Sequence, residues 1–392
     1  MSAERDSGTR YRDFEFNLRE LAGSMGDFGT LFPLAVGYIV VNGLDPAGLF
    51  VALGLTNIAL GLIYRLPMPL QPKKVIAASA IAQGWSPSLI YASGFGLGLL
   101  WLALVLTGLL RKLLDVTPAF IVRGIQLALA ATLAWKALQW MRPTPLLALT
   151  AIAIVLVLRE NRYAPAAIVL MVLGLGIVAW RGDLPGSWEL ALSLPPITLP
   201  RLGDVWQAML LAGFAQIPLS ITNAVIAPAA LIRDYFPEEK VVSERKLMLN
   251  MGVMNVTASF LGGMPMCHGA GGLAGQYYFG ARTGGAPILE GLIELAIGLF
   301  LSRSIANVLT SFPMPLMAGM MLLVSIQLAK PMIELRGWKL GLALFTAVLS
   351  VITNMAVGFV AGLAVTHLVR ALRQRSSLLS VPNEKEDDEP DA

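Results

Sequence analysis

Long apolar runs recur along this chain from about Leu21 to about Val369, and short polar or proline-containing stretches separate them. A run of about 20 apolar residues is long enough for a helix that crosses a membrane. The third and tenth runs are short and irregular, as half-helices would be. The pattern predicts an all-α polytopic membrane protein with fourteen segments, at residues 21–41, 46–64, 69–84, 88–110, 117–138, 144–158, 164–180, 205–228, 246–262, 267–281, 286–302, 313–329, 338–352 and 354–371.

The polar stretch 181–204 divides these segments into two groups of seven. Three positions of the first half recur in the second at a constant offset, and a second proline–glycine pair recurs at equal spacing. The matches are Gly54, Asn57 and Pro67 with Gly252, Asn255 and Pro265, and Pro118 and Gly124 with Pro313 and Gly319. Because seven is odd, the second repeat enters the membrane from the opposite side, and inverted repeats with broken helices are typical of transporters. The predicted parts are a cytoplasmic N-terminus at 1–20, repeats at 21–180 and 205–371 with the linker between them, and a disordered acidic cytoplasmic tail at 372–392.

Composition and charge agree with this layout. The chain is 56% hydrophobic and 14% charged, with a mean hydropathy of +0.69. With alternating segments, 21 Lys and Arg residues fall on the side of the N-terminus, four fall on the other side and four lie at membrane depth. This asymmetry predicts a multi-pass protein of the cell membrane with both termini cytoplasmic. It also explains the basic balance without any nucleic-acid partner, and the single cysteine excludes an internal disulfide.

Two breaks in the apolar pattern carry the candidate chemistry. Residues 262–285 (GGMPMCHGAGGLAGQYYFGARTGG) are crowded with glycine and lead into a helix of small residues. Residues 67–74 (PMPLQPKK) form a similar proline-bounded break in the first half. A helix N-terminus offers free N–H groups and partial positive charge, and an interrupted membrane helix is tolerated where it lines a cavity. We therefore expect a buried anion site where the two half-helices converge.

Charged and polar side chains surround these breaks. Lys73 and Lys74 point in different directions on a helix, so one can face the site while the other snorkels. Asp27 either caps the start of its helix or lies deeper, where it would hold Lys74 or take a coupling proton. Thr30 adds a hydroxyl donor beside it.

Further candidates lie in the second half. Gln216 takes the corresponding early position in segment eight and is either a site residue or an interhelical contact. His268 can donate to an oxyanion, whereas Cys267 fits a small buried residue better than a ligand. Glu290 and Glu294 share one helix face and either relay protons or pair with a neighbouring helix. One cysteine and one histidine in this region do not make a metal site.

Two stretches resemble a known family. GDFGTLFPL with PMPLQPKKVIAA, and PMCHGAGGLAGQYYFGARTGG, are similar to motifs of the molybdate transporter family, a divergent branch of the SulP sulfate permeases. The resemblance implies seven-plus-seven inverted repeats, a core and a gate half-bundle, and an oxyanion between half-helices three and ten. Lys73 departs from the neutral residue expected there. With this resemblance, the candidate substrate residues are Asp27, Thr30, Gln71, Pro72, Lys74, Gln216, Cys267, His268, Gly269, Ala270 and Gly271.

The expected function is secondary transport of molybdate, with tungstate as a related substrate, by alternating access across the inner membrane. The expected partners are the oxyanion, lipid, a coupling proton and a second copy in a homodimer, with no cofactor. A sulfate transporter and an anion channel are the alternatives. An enzyme is disfavoured because the sequence offers no nucleophile with a paired base. Selectivity among tetrahedral dianions is not visible in the sequence.

Overall fold

The computed structural model describes residues 14–109, 117–158, 166–184, 190–239 and 242–379. Its helices, numbered in chain order, are α1 (Leu18–Ser24), α2 (Phe28–Val40), α3 (Pro46–Tyr64), α4 (Lys74–Gln83), α5 (Pro87–Thr107), α6 (Ala119–Met141), α7 (Pro145–Leu158), α8 (Ala166–Trp180), α9 (Leu202–Tyr235), α10 (Glu244–Phe260), α11 (Ala270–Phe279), α12 (Gly285–Thr310), α13 (Met314–Ala329), α14 (Gly337–Ile352) and α15 (Met355–Leu379). Among the described residues, seven helices are long and apolar enough to span a membrane, and four shorter helices are also apolar. The predicted all-α membrane fold is confirmed.

The predicted segments correspond to these helices, with differences at several edges. A 3₁₀ turn at Met25–Asp27 interrupts the first span between α1 and α2. Helix α9 is longer than the predicted 205–228 and contains two π-helical turns, Met209–Gly213 and Ile221–Ile226. Helix α12 is also longer than predicted. Such turns let a helix continue past a local irregularity such as Pro218, which apolar periodicity alone does not indicate.

The structure describes only part of the two predicted terminal segments. Helix α15 continues to Leu379, past the predicted start of the tail at 372. Residues 380–392, where the rest of that tail falls, lie outside the described residues, as do residues 1–13 of the predicted N-terminal segment.

The two halves of the chain exchange packing partners. Helix α3 packs on α12, and its predicted counterpart α10 packs on α5. Helix α6 packs on α14, and its counterpart α13 packs on α7. Repeated glycines sit at these contacts, with Gly54 against Gly291 and Gly252 against Leu102. This reciprocity is what an inverted repeat would produce.

The two predicted breaks contain short strands, each followed by a half-helix. Strand β1 (Gln71–Pro72) precedes α4, and strand β2 (Met266–Cys267) precedes α11. Each half-helix is 10 residues long, too short to cross a bilayer alone. The prediction of half-helices at the third and tenth positions is confirmed.

Candidate functional site

The two breaks meet through their backbones. Strands β1 and β2 pair antiparallel, with Gln71 opposite Cys267 and Pro72 opposite Met266. The Lys73 N–H extends the ladder by donating to the Pro265 carbonyl at 2.9 Å. Since each strand leads into a helix and the strands run in opposite directions, α4 and α11 leave the pair in opposite directions. Their positive N-terminal ends therefore face the same central region.

The N-terminus of α11 consists of small residues and is open. Gly269 is the N-cap, with no side-chain capping hydrogen bond, and Ala270 is half-buried. Gly271 is exposed, and a Cβ added there would have no atom within 4 Å. A space beside a helix N-terminus that no protein atom fills suits an anion, which can approach the free backbone N–H groups closely.

Gln71 lies against the same end of α11. A Cβ added to Gly272 would fall 2.6 Å from Gln71 Nε2, and one added to Gly269 would overlap the Gln71 amide. The side chain is 2% exposed, and its Oε1 has no hydrogen-bond partner among the described residues. Gly272 of α11 and the N-cap Gly269 therefore make room for Gln71. Pro72, beside it in β1, is buried and takes part through its backbone position.

The N-terminus of α4 is occupied differently. Gln216 on α9 is buried, and its Oε1 accepts the Val75 N–H at 2.8 Å, while its Nε2 donates to Ser220 Oγ at 2.8 Å. The Gln216 amide thus caps α4 from another helix. Lys74, the first residue of α4, is half-buried.

Lys73 and Lys74 have different environments. The Lys73 side chain is fully buried, and its Nζ lies 5.5 Å from the centre of the Trp101 ring on α5. Lys73 therefore does not snorkel. A cation over an indole face gains some electrostatic stabilisation. The sequence analysis did not identify Trp101, although an aromatic residue is an expected neighbour for a buried lysine.

His268 is held between the two breaks. Its Nδ1 lies 3.4 Å from the Pro69 carbonyl, and its ring meets Tyr64 edge to face at 6.2 Å between centroids. The residue is fully buried, and Nε2 has no partner among the described residues. Cys267 is buried in strand β2, which agrees with a packing residue. Tyr64, which the sequence analysis also missed, ends helix α3 just before the first break.

Asp27 is buried in the 3₁₀ turn of the first span. It is 2% exposed, it makes no capping hydrogen bond at the start of α2, and its Cβ would lie 3.0 Å from a Cβ on Gly272. Of the two alternatives, the structure favours the deeper position. Among the described residues, no ion pair joins Asp27 to Lys74. Thr30 follows one turn later on α2 and is 8% exposed.

The remaining polar residues hold neighbouring elements. The amide of Asn57 on α3 donates to Glu294 Oε2 on α12 at 2.7 Å. Asn255 on α10 accepts the Met266 N–H and donates to the Met266 carbonyl, both at 2.8 Å, and so fixes strand β2. Glu290 and Glu294 line a cavity to which the described residues of α4 and α11 do not contribute.

The structure gathers most predicted residues at one centre. Five of them lie in or beside the strand pair: Gln71, Pro72, Cys267, His268 and Gly269. The half-helices begin with Lys74 in α4 and with Ala270 and Gly271 in α11. Gln216 caps α4, and Asp27 lies against α11. Thr30 lies outside this group, buried on α2 one turn beyond Asp27. In the described part of the chain, no cluster of His, Cys, Asp and Glu has the makings of a metal site.

Comparison with known sequences identifies relatives over most of the chain. A family model described as "Molybdate transporter of MFS superfamily" matches residues 19–133 and 208–328. Molybdate transporters 1 and 2 of Arabidopsis thaliana are 30% and 32% identical, over 89% and 79% of this chain and 87% and 78% of their own. Molybdate transporter 1 of Chlamydomonas reinhardtii is 29% identical over 88% of this chain and 90% of its own.

Solved structures identify the fold. The transmembrane domain of a cyanobacterium bicarbonate transporter, BicA, superposes with a TM-score of 0.64 at 16% identity, covering 88% of this chain and 97% of that one. The murine anion transporter Slc26a9, in its inward-facing state, superposes with a TM-score of 0.69 at 13% identity, covering 95% of this chain and 73% of that one. At such identities, these matches establish architecture alone. The chain therefore belongs to the molybdate transporter family and has the fold of the SLC26/SulP anion transporters.

Proposed function

We propose that this protein is a secondary active transporter that imports molybdate, and tungstate as a close analogue, by alternating access. The observation that carries the proposal is the antiparallel β1–β2 pair, from which two half-helix N-termini face one region. Each N-terminus contributes about half a positive charge. Together with Lys74, they would offset a dianion that has lost its water.

The proposed substrate site is formed mainly by backbone groups. Free N–H groups at the start of α11, beside exposed Gly271, would bind one side of the tetrahedral anion. The Lys74 ammonium would add a directed donor. His268 Nε2 would add another when the ring is an imidazolium, because the Pro69 carbonyl already faces the Nδ1 proton. Several such bonds are needed because transfer of a dianion from water is costly.

Transport would follow from movement of the core bundle, which carries the half-helices, against the gate bundle. Relatives named as molybdate transporters support the choice of substrate. We further propose that the protein lies in the cell inner membrane as a homodimer, with both termini cytoplasmic, as the distribution of basic residues predicts. A tag at each terminus, probed with protease in vesicles whose cytoplasmic face points outwards, tests the orientation. Both tags should be cleaved, and a tag that resists cleavage would contradict the proposed orientation.

The decisive experiment compares anions on the purified protein. Binding of molybdate, tungstate and sulfate is measured side by side, and labelled molybdate uptake is followed in proteoliposomes. We expect saturable uptake, counterflow and little competition from equimolar sulfate. Strong suppression by equimolar sulfate would identify a sulfate transporter instead. Flux without saturation or counterflow would identify a channel.

A further inference from the structure

A second polar cluster lies on helix α12. Glu290 and Glu294 are one turn apart on the same helix face and are 3% and 6% exposed. Both line a cavity of about 420 Å³ whose other walls, apart from Ser24, are apolar residues of α1, the turn after it, α2, α3, α8 and α12. Two carboxyl groups in a cavity of this kind are costly to bury and need an explanation.

The hydrogen bonds of the two glutamates differ. Glu294 accepts one hydrogen bond, from the Asn57 amide. Neither carboxyl oxygen of Glu290 has a hydrogen-bond partner among the described residues, and the same is true of Asp27. The turn that carries Asp27 borders the same cavity through Met25.

Among the described residues, no ion pair joins a charged group of the neighbouring helices to this cluster. The carboxylate of Glu20, on α1, accepts the backbone N–H groups of Arg282 and Thr283. The other titratable groups on or beside the packed helices are buried Tyr38 on α2, Asp45 at the cap of α3, Tyr64 against His268, Arg65 over the Phe14 ring, Arg19 against Gly280, and exposed Arg181 and Arg303.

Glu290 and Glu294, one helix turn apart on a buried face, are not stable when both are ionised in a region of low dielectric. An ionised carboxylate without a counter-ion or a donor is strongly destabilised there, and a neighbouring negative charge adds to the cost. The same groups are stable when they hold protons. The cavity therefore has the chemistry of a site that binds and releases protons rather than one that binds an anion.

We propose that Glu290 and Glu294, together with Asp27, form a proton-binding site that couples proton entry to oxyanion transport. Asp27 provides the connection, because its turn borders the cavity through Met25 and its side chain lies against Gly272 on the half-helix of the anion site. Protons taken up here offset the charge of the incoming dianion. The coupling role rests on the function proposed above, whereas proton binding by the cluster does not.

Proton binding is tested on the wild-type protein without any transported anion. A hydrophobic carbodiimide reacts with buried protonated carboxyl groups, and peptide mass spectrometry locates the adduct. We expect labelling of Glu290 or Glu294 at neutral pH, declining as the pH rises. Exposed Glu238 serves as the control residue and should stay unlabelled. Absence of labelling on both buried glutamates would overturn the proposal, whether or not the protein transports molybdate.

Coupling is tested in proteoliposomes with Glu290→Gln, Glu294→Gln and the control Glu238→Gln. An imposed gradient of about one pH unit should drive about tenfold accumulation per coupled proton in wild type and control. The two buried variants should lose this accumulation and molybdate-driven internal acidification but keep molybdate–molybdate exchange, which needs no net proton movement. Wild-type accumulation in both buried variants would refute coupling through this cluster. Absence of exchange in wild type would instead refute molybdate transport.

Discussion

The two half-helices begin in similar ways but offer a ligand different groups. Helix α4 begins with a lysine pair, and the Gln216 amide already accepts one of its N–H groups. Helix α11 begins with glycine and alanine, has no side-chain cap, and opens beside exposed Gly271. The strand pair that precedes them is shared. Under the proposed function, one half would supply charge and the other bare backbone to the same dianion.

The largest effect is expected from a negative charge on the open half-helix. Gly271→Asp would place a carboxylate beside the proposed anion position, with a repulsion of about 3 kcal/mol, or about 100-fold in Kd. Gly271→Ala is the matched control, because a Cβ there meets no atom within 4 Å. The measurement is the molybdate affinity of the two purified variants, which tests whether the anion binds beside Gly271. Equal affinities for the two variants would mean that the anion binds elsewhere.

The lysine pair gives the next effect. Lys74→Met should weaken molybdate binding by about 1.5–3 kcal/mol, or about tenfold or more, because a charge-assisted bond to the anion is lost. Lys73→Met should leave affinity nearly unchanged, because Lys73 is buried over Trp101. Isothermal titration at two salt concentrations separates the variants. If only Lys73→Met loses molybdate binding, then Lys73 and not Lys74 is the lysine of the site.

The smallest effect is expected at the capped half-helix. Gln216→Leu removes the acceptor of the Val75 N–H, at a cost of about 1–2 kcal/mol in stability. Ser220→Ala is the control, because it removes only the bond from Gln216 Nε2 and keeps the cap. Thermal unfolding in detergent, without anion, compares the two. If the control is destabilised as much as Gln216→Leu, the cap is not what stabilises α4.

The breaks were predictable because local residues produce them. Proline removes a backbone donor and glycine permits turns, so PMPLQPKK and the glycine-rich run after Gly262 interrupt their helices whatever surrounds them. Hydrophobic length likewise fixes which segments cross a bilayer. For the same reason, the all-α class and the position of the half-helices followed from the chain itself.

Pairings between distant residues could not be predicted in this way. Neither the cap that Gln216 provides for α4 nor the burial of Lys73 against Trp101 is visible in local sequence. Adjacent lysines look alike in a sequence, yet one is buried and the other half-exposed, because the direction of each side chain depends on the backbone at the start of the helix.

The sequence alone therefore determined the number and kind of segments, the two interruptions and the uneven distribution of basic residues. These features depend on local chemistry and on the thickness of the membrane. Only the packed fold decided which polar groups meet. It joined β1 to β2 across the two halves and left Glu290 without a partner in the described chain. Contacts between residues about 200 positions apart depend on how helices pack, and no local pattern encodes them.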